Sequence, residues 1–244
     1  MASTTHHARP VPARIADRLI VALDLPDVGA ARAMAERLDG IVSFFKLGLW
    51  LIFAPGFDRL VDDLVADGKK VFLDAKMFDI GETVKQGVAR AAERGVSLVT
   101  VHGDHDIIRA AVEGKRGTGL RILAITVLTS IDDAGLAEMG YLCPVEALIR
   151  QRVAACTSLG CDGIIASPAD VPGIRRLPDS EKLLVVTPGV RLPGAALDDQ
   201  KRVGTPAEAI AAGADYLVVG RPIVRAADPA AMAARIVADM AGAA

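Results

Sequence analysis

The chain has 244 residues, of which 52% are apolar but only 4% aromatic, and its 28 lysines and arginines are balanced by 30 aspartates and glutamates. A net charge of −2 with no long basic run argues against nucleic acid as a partner. A core poor in aromatics must be built from Ala, Val, Leu and Ile, which favours parallel sheet covered by helices over a β-sandwich.

Residues 1–13 are polar, carry His6, His7 and two prolines, and read as a frayed leader whose histidines are solvated. From Leu19 onward, short apolar runs alternate with Ala-rich helical patterns. The predicted strands are Leu19–Leu25, Ile41–Leu47, Lys70–Ala75, Leu98–His102, Arg121–Val127, Gly163–Ala166, Leu183–Thr187 and Tyr216–Val219. Helical patterns between them include Val28–Leu38, Thr83–Arg94, Pro144–Leu159, Pro206–Ala212 and Pro229–Met240. Alternating βα units imply a parallel sheet with right-handed crossovers, and eight of them in about 250 residues fit a closed (β/α)₈ TIM barrel. The expected organisation is one α/β catalytic domain over residues 14–244. A doubly wound open sheet competes, but no G-x-G-x-x-G follows the first strand. The stretch Pro188–Thr205 has no strand or helix pattern and reads as a lid or binding loop. Cys143, Cys156 and Cys161 follow neither disulfide nor zinc spacing. With no apolar run of membrane-spanning length and no signal-peptide segment, the expectation is a cytoplasmic protein without a membrane partner.

The strand ends carry the chemistry. The first ends in Asp24, the second in Lys46, the third in Asp74-Ala-Lys76, the fourth in His102, and Asp79 follows in the connection after the third. In a (β/α)₈ barrel these ends converge on one face, where active sites sit. A single Asp after a strand is often a helix cap, but charges on consecutive strand ends cost desolvation that structure alone rarely requires. Two lysines alternating with two aspartates would form a locally neutral network. His102 fits a hydrogen bond to barrel backbone as well as a ligand or proton carrier. Asp104, His105 and Asp106 read as capping residues of the next helix. The lysines argue against a divalent metal here, since ammonium groups repel a cation. After strands seven and eight, Pro188-Gly189-Val-Arg191 and Gly220-Arg221 occupy the positions where such barrels bind phosphate, with Arg191 and Gln200 in the lid. Lys201 and Arg202 read as solvated lid charges.

These segments together resemble the orotidine 5′-phosphate decarboxylase family over the whole chain after the leader. The resemblance is carried by Val21-Ala-Leu-Asp24, Phe45-Lys46-Leu-Gly48, Leu73-Asp-Ala-Lys-Met-Phe-Asp-Ile80, Thr126-Val-Leu-Thr129-Ser130, Thr187-Pro-Gly-Val-Arg191, Gln200 and Val219-Gly-Arg-Pro-Ile223. It implies cofactor-free conversion of orotidine 5′-phosphate to uridine 5′-phosphate (UMP) and carbon dioxide in pyrimidine biosynthesis. It also implies a homodimer in which Asp79 and Thr83 cross the interface. By resemblance Lys46, Asp74, Lys76 and Asp79 form the charged array, with Lys76 protonating C6 and Asp74 beside the substrate carboxylate. Asp24 and Thr83 fall on ribose-binding positions, Thr129 on the pyrimidine contact, and Pro188, Arg191, Gln200, Gly220 and Arg221 on the phosphate grip and lid. Two alternatives remain at this stage. One is a metal-dependent sugar-phosphate decarboxylase or aldolase, whose superfamily shares D-x-K-x-x-D; the other is a non-catalytic phosphate-ligand sensor.

Overall fold

A computed structural model describes residues 9, 11–192 and 204–242. Eight parallel strands close in sequence order: β1 (Leu19–Ala22), β2 (Phe44–Leu47), β3 (Lys70–Met77), β4 (Leu98–His102), β5 (Arg121–Ile125), β6 (Gly163–Ile165), β7 (Leu184–Thr187) and β8 (Tyr216–Val219). The barrel shuts where β8 pairs with β1, in the register Leu19–Leu217, Ile20–Val218 and Val21–Val219. The expected (β/α)₈ architecture is therefore the observed one, and the open-sheet competitor is not.

Each strand alternates between two apolar layers. Ile20, Ala22, Phe44, Phe72, Leu98, Leu123, Leu184, Val186, Tyr216 and Val218 fill the barrel interior. Leu19, Val21, Phe45, Val71, Val99, Ile122, Val185 and Leu217 face the surrounding helices. This is why the strands read as unbroken apolar runs: both faces are buried. Phe44, Phe72 and Tyr216 lie in the interior, where Phe44 and Tyr216 meet edge to face at 5.8 Å. Side chains along a strand recur on one face every two residues, so the residues above this apolar plug are dictated by parity. Two steps up from Phe44 is Lys46, from Phe72 Asp74, from Leu98 Thr100, and from Ala22 Asp24.

The helices cover the outside. Asp27 caps Val28–Arg37 through Ala30 N–H, Asp228 caps Pro229–Ala241 through Ala231 N–H, and Thr205 with Glu208 forms a capping box on Pro206–Ala211. A helix not assigned from the sequence, Phe57–Ala66, completes the second unit by burying Leu60, Val61 and Leu64. Asp104 precedes the helix His105–Gly114 as expected, but its side chain does not cap it; the carboxylate lies 3.5 Å from Arg152 instead. Four strand boundaries also differ from expectation by two residues or more. β1 and β5 stop at Ala22 and Ile125, β2 starts only at Phe44, and β3 runs on to Met77 with its register shifted between Leu73 and Met77.

The far end of the barrel is held by one buried carboxylate. Asp215 accepts from Arg175 Nη2 at 2.7 Å and from Val185 N at 2.8 Å, and lies 3.0 Å from Arg9 Nε. Arg9 belongs to the segment expected to fray, most of which lies outside the described residues. Replacing Asp215 with Ala would leave Arg175 charged and half-enclosed without its counter-ion. The Asp215→Ala variant is expected to lose about 3–5 kcal/mol of stability, read as a lower urea midpoint.

Candidate active site

The C-terminal strand ends surround a cavity of about 290 Å³, near the lower end of the range for small-molecule sites (about 300–1,000 Å³). One wall is charged. Lys46 Nζ donates to Asp24 Oδ1 at 3.0 Å and Oδ2 at 3.3 Å, and reaches Asp74 Oδ2 at 3.3 Å. Lys76 Nζ lies 2.8 Å from the same Asp74 oxygen. Asp24, Lys46, Asp74 and Lys76 thus form an alternating chain across β1, β2 and β3, the network expected from the strand ends. The inner members are the most enclosed: the Lys46 and Asp74 side chains are only 10% and 13% exposed. Charges buried that deeply persist only when paired on several sides. Burial pushes the Asp74 carboxyl upward, but Lys46 and Lys76, with hydrogen bonds from Lys76 and Thr100, outweigh it and hold the group below its ordinary value.

The third strand is not the regular strand its sequence implied. Lys76 has φ 47°, in the left-handed region that a non-glycine residue avoids at a cost of about 1–3 kcal/mol. The register shift around it turns the chain so that both Asp74 and Lys76 present their charges to the cavity. Thr100, fully buried on β4, was not singled out from the sequence. Its hydroxyl accepts from Lys76 N–H at 3.0 Å and donates to Asp74 Oδ1 at 2.9 Å. The signal was available: a hydroxyl in the middle of Leu-Val-Thr-Val-His, on the same face as the interior residue Leu98.

Gly48 closes the charged wall from behind. A Cβ built there would stand 2.4 Å from Asp24 Oδ1 and 3.2 Å from Lys46 Nζ, while its backbone (φ −87°, ψ 175°) suits any residue. The constraint is space rather than conformation, and the Asp24 carboxylate is the group that can yield. Gly48→Ala is expected to fold normally but to bind the ligand of this site about 10–100-fold more weakly, as for the loss of a charged hydrogen bond. Calorimetric titration beside a thermal melt checks both halves.

The same cavity is lined by Thr129, Pro188, Arg191, Gly220 and Arg221, with Gly220 next to Asp24. Gly189 takes φ 78°, and Arg191 N–H donates to Gly204 O at 3.0 Å, so the two ends of the expected lid are hydrogen-bonded together at the cavity rim. Gln200, Lys201 and Arg202 lie outside the described residues. Asp79 and Thr83 are not brought into this chain's cavity. Both are exposed, Asp79 accepts from Ile80 N–H at 2.7 Å, and Thr83 sits in the first turn of Gly81–Glu93. His102 packs its ring against Phe78, with centroids 4.6 Å apart. Burial, with Arg152 adding repulsion, holds its imidazole below the ordinary value and favours the neutral form. Among the described residues no group of three or more His, Cys, Asp or Glu side chains is placed to hold a metal ion.

Comparison with known proteins agrees with this geometry. The family profile described as "Orotidine 5'-phosphate decarboxylase / HUMPS family" matches residues 17–236. An orotidine 5′-phosphate decarboxylase of Afipia carboxidovorans is 50% identical over 230 residues, covering 94% of this chain and 97% of that protein. One from Methylobacterium radiotolerans is 52% identical over 225 residues, covering 92% and 96%. The crystal structure of orotidine 5′-phosphate decarboxylase from Lactobacillus acidophilus superposes with a TM-score of 0.80 at 33% identity, covering 92% of this chain and 99% of that one. A closed eightfold barrel, an alternating charge chain at its mouth and a profile match spanning nearly its full length place the chain in the orotidine 5′-phosphate decarboxylase / HUMPS family.

Proposed function

We propose that the chain decarboxylates orotidine 5′-phosphate to UMP in pyrimidine biosynthesis, without a cofactor. The observation that carries this reading is the Asp24–Lys46–Asp74–Lys76 chain lining one cavity together with the arginines Arg191 and Arg221. The charge chain suits a pyrimidine bearing a carboxylate, and the arginines suit a phosphate. The sugar-phosphate alternative is disfavoured because relatives at about half identity are named as orotidine 5′-phosphate decarboxylases.

In this reading the bond between C6 and the carboxylate breaks, carbon dioxide leaves, and the electron pair stays on C6. The Lys76 ammonium stabilises that charge and then gives its proton to C6; water reprotonates the amine. Asp74, held ionised between two lysines, stands beside the departing carboxylate and keeps Lys76 aimed at C6. Asp24 and Lys46 hold the ribose and Thr129 the pyrimidine. Arg191, Gln200, Gly220 and Arg221 grip the phosphate, whose binding closes the lid and fixes the ring against the array. Orotidine lacking its phosphate should therefore lose kcat as well as affinity. Equal kcat for the two substrates, or turnover of 3-keto-gulonate 6-phosphate with magnesium in place of orotidine 5′-phosphate, would overturn the reading.

The same reading makes the protein a cytoplasmic homodimer with Asp79 and Thr83 completing the partner's site. Phe78 and Ile80, on either side of Asp79, are 66% and 74% exposed, and Trp50 and Phe53 after β2 are also bare. Apolar side chains clustered in the connections around an active-site mouth mark a contact surface. Lys76→Ala and Asp79→Ala proteins should each be nearly inactive, yet regain about a quarter of wild-type activity when mixed, since half the dimers then carry one intact site. A mixture no more active than its parts would contradict shared sites. All three cysteines are free thiols, in keeping with a reducing compartment.

A further inference from the structure

We propose that Thr100 is a positioning residue for the decarboxylation, locking the strained Lys76 backbone and the Asp74 carboxylate into one unit through its hydroxyl. The inference rests on the reading of Lys76 as the proton donor. Its geometry is a closed ring. Lys76 N–H donates to Thr100 Oγ1 at 3.0 Å, the hydroxyl donates to Asp74 Oδ1 at 2.9 Å, and Asp74 Oδ2 pairs with Lys76 Nζ at 2.8 Å. The main chain and the side chain of Lys76 are thus tied to the same carboxylate, one through Thr100 and one directly.

The need for such a tie comes from the strand itself. A left-handed residue inside β3 interrupts the ladder to β4, and the register shifts from Leu73–Val99 to Met77–Val101. Lys76 has no register partner on β2 or β4, and a buried amide without an acceptor costs about 1–3 kcal/mol. Thr100 supplies the acceptor from the neighbouring strand. A hydroxyl has one proton to give and two lone pairs. Giving the proton to a carboxylate sharpens the oxygen as an acceptor for the amide, so each bond strengthens the other. Asp74 gains equally. Its second oxygen already serves Lys46 and Lys76, and without Thr100 the first would be free to rotate toward either lysine. Asp74 and Lys76 line the cavity and Thr100 does not; it acts through those two groups.

The test compares Thr100→Val, which keeps the shape and removes the hydroxyl, with Thr100→Ser, which keeps the hydroxyl and removes the methyl. Steady-state turnover of orotidine 5′-phosphate and calorimetric affinity for UMP are read for each. The expected result is a 10–100-fold fall in kcat for Thr100→Val, KM and UMP affinity within about threefold of wild type, and recovery of most of the rate in Thr100→Ser. Should Thr100→Val fail to fold, Thr100→Ala against Thr100→Ser makes the comparison, since both lack the methyl and only Thr100→Ala also lacks the hydroxyl. A kcat within twofold of wild type for the variant lacking the hydroxyl would overturn the proposal, as would equal losses with and without it. An inactive wild type would instead sink the decarboxylase reading, so the two failures are distinguishable.

Discussion

Replacing Lys76 with Ala should abolish decarboxylation while leaving nucleotide binding measurable. The ammonium is the group placed to meet a carbanion that the pyrimidine ring delocalises poorly, and it is 2.8 Å from the carboxylate that aims it. Positioned proton transfer contributes about two to four orders of magnitude, and the electrostatic stabilisation of the developing charge adds to that. The phosphate grip of Arg191 and Arg221 does not depend on Lys76, so UMP affinity should change by no more than about tenfold. Kinetics by substrate absorbance and binding by calorimetry separate the two. A variant keeping more than about a hundredth of the wild-type rate would contradict the assignment.

Asp74→Asn is expected to have an effect of similar size for a different reason. Asp74 lies between two ammonium groups, 2.8 Å and 3.3 Å from one of its oxygens. Without the charge Lys46 and Lys76 repel each other, and one must turn away or lose its proton. The expected outcome is a fall in kcat of at least about a hundredfold, and a rate within tenfold of wild type would refute it. The same residue has a signature in stability. Its carboxyl is held below the ordinary value, so its contribution is fully present above about pH 4 and is lost as pH falls through the lower folded value. Acid unfolding of wild type and variant should therefore converge as pH drops below 4. Curves that stay parallel throughout would mean that Asp74 titrates in the folded protein as it does in the unfolded chain.

Much of this was legible before any coordinates. Strands buried on both faces produce unbroken apolar runs, and their eightfold alternation with helices predicts the barrel. Charges at the ends of such runs have nowhere to go but the mouth, which is why Asp24, Lys46, Asp74 and Lys76 could be named together. What parity alone missed was the irregularity of β3. Asp74 and Lys76 are two apart and were expected on one face of a regular strand, whereas they meet through a left-handed turn at Lys76 that no residue preference announces. Thr100 escaped notice because threonine is an ordinary strand residue, and only the bulge opposite it gives its hydroxyl work. The helix Phe57–Ala66 was passed over because its Asp-rich face masks a narrow apolar stripe of Leu60, Val61 and Leu64. The role of Thr83 and the place of Asp79 across an interface come only from the resemblance, and the single chain leaves both on its surface.

The most direct test of the central claim follows the ultraviolet absorbance of orotidine 5′-phosphate mixed with the purified protein, with EDTA present throughout. Loss of the substrate band with stoichiometric formation of UMP is the predicted result. An unchanged band, from protein shown to be folded and dimeric, would contradict it.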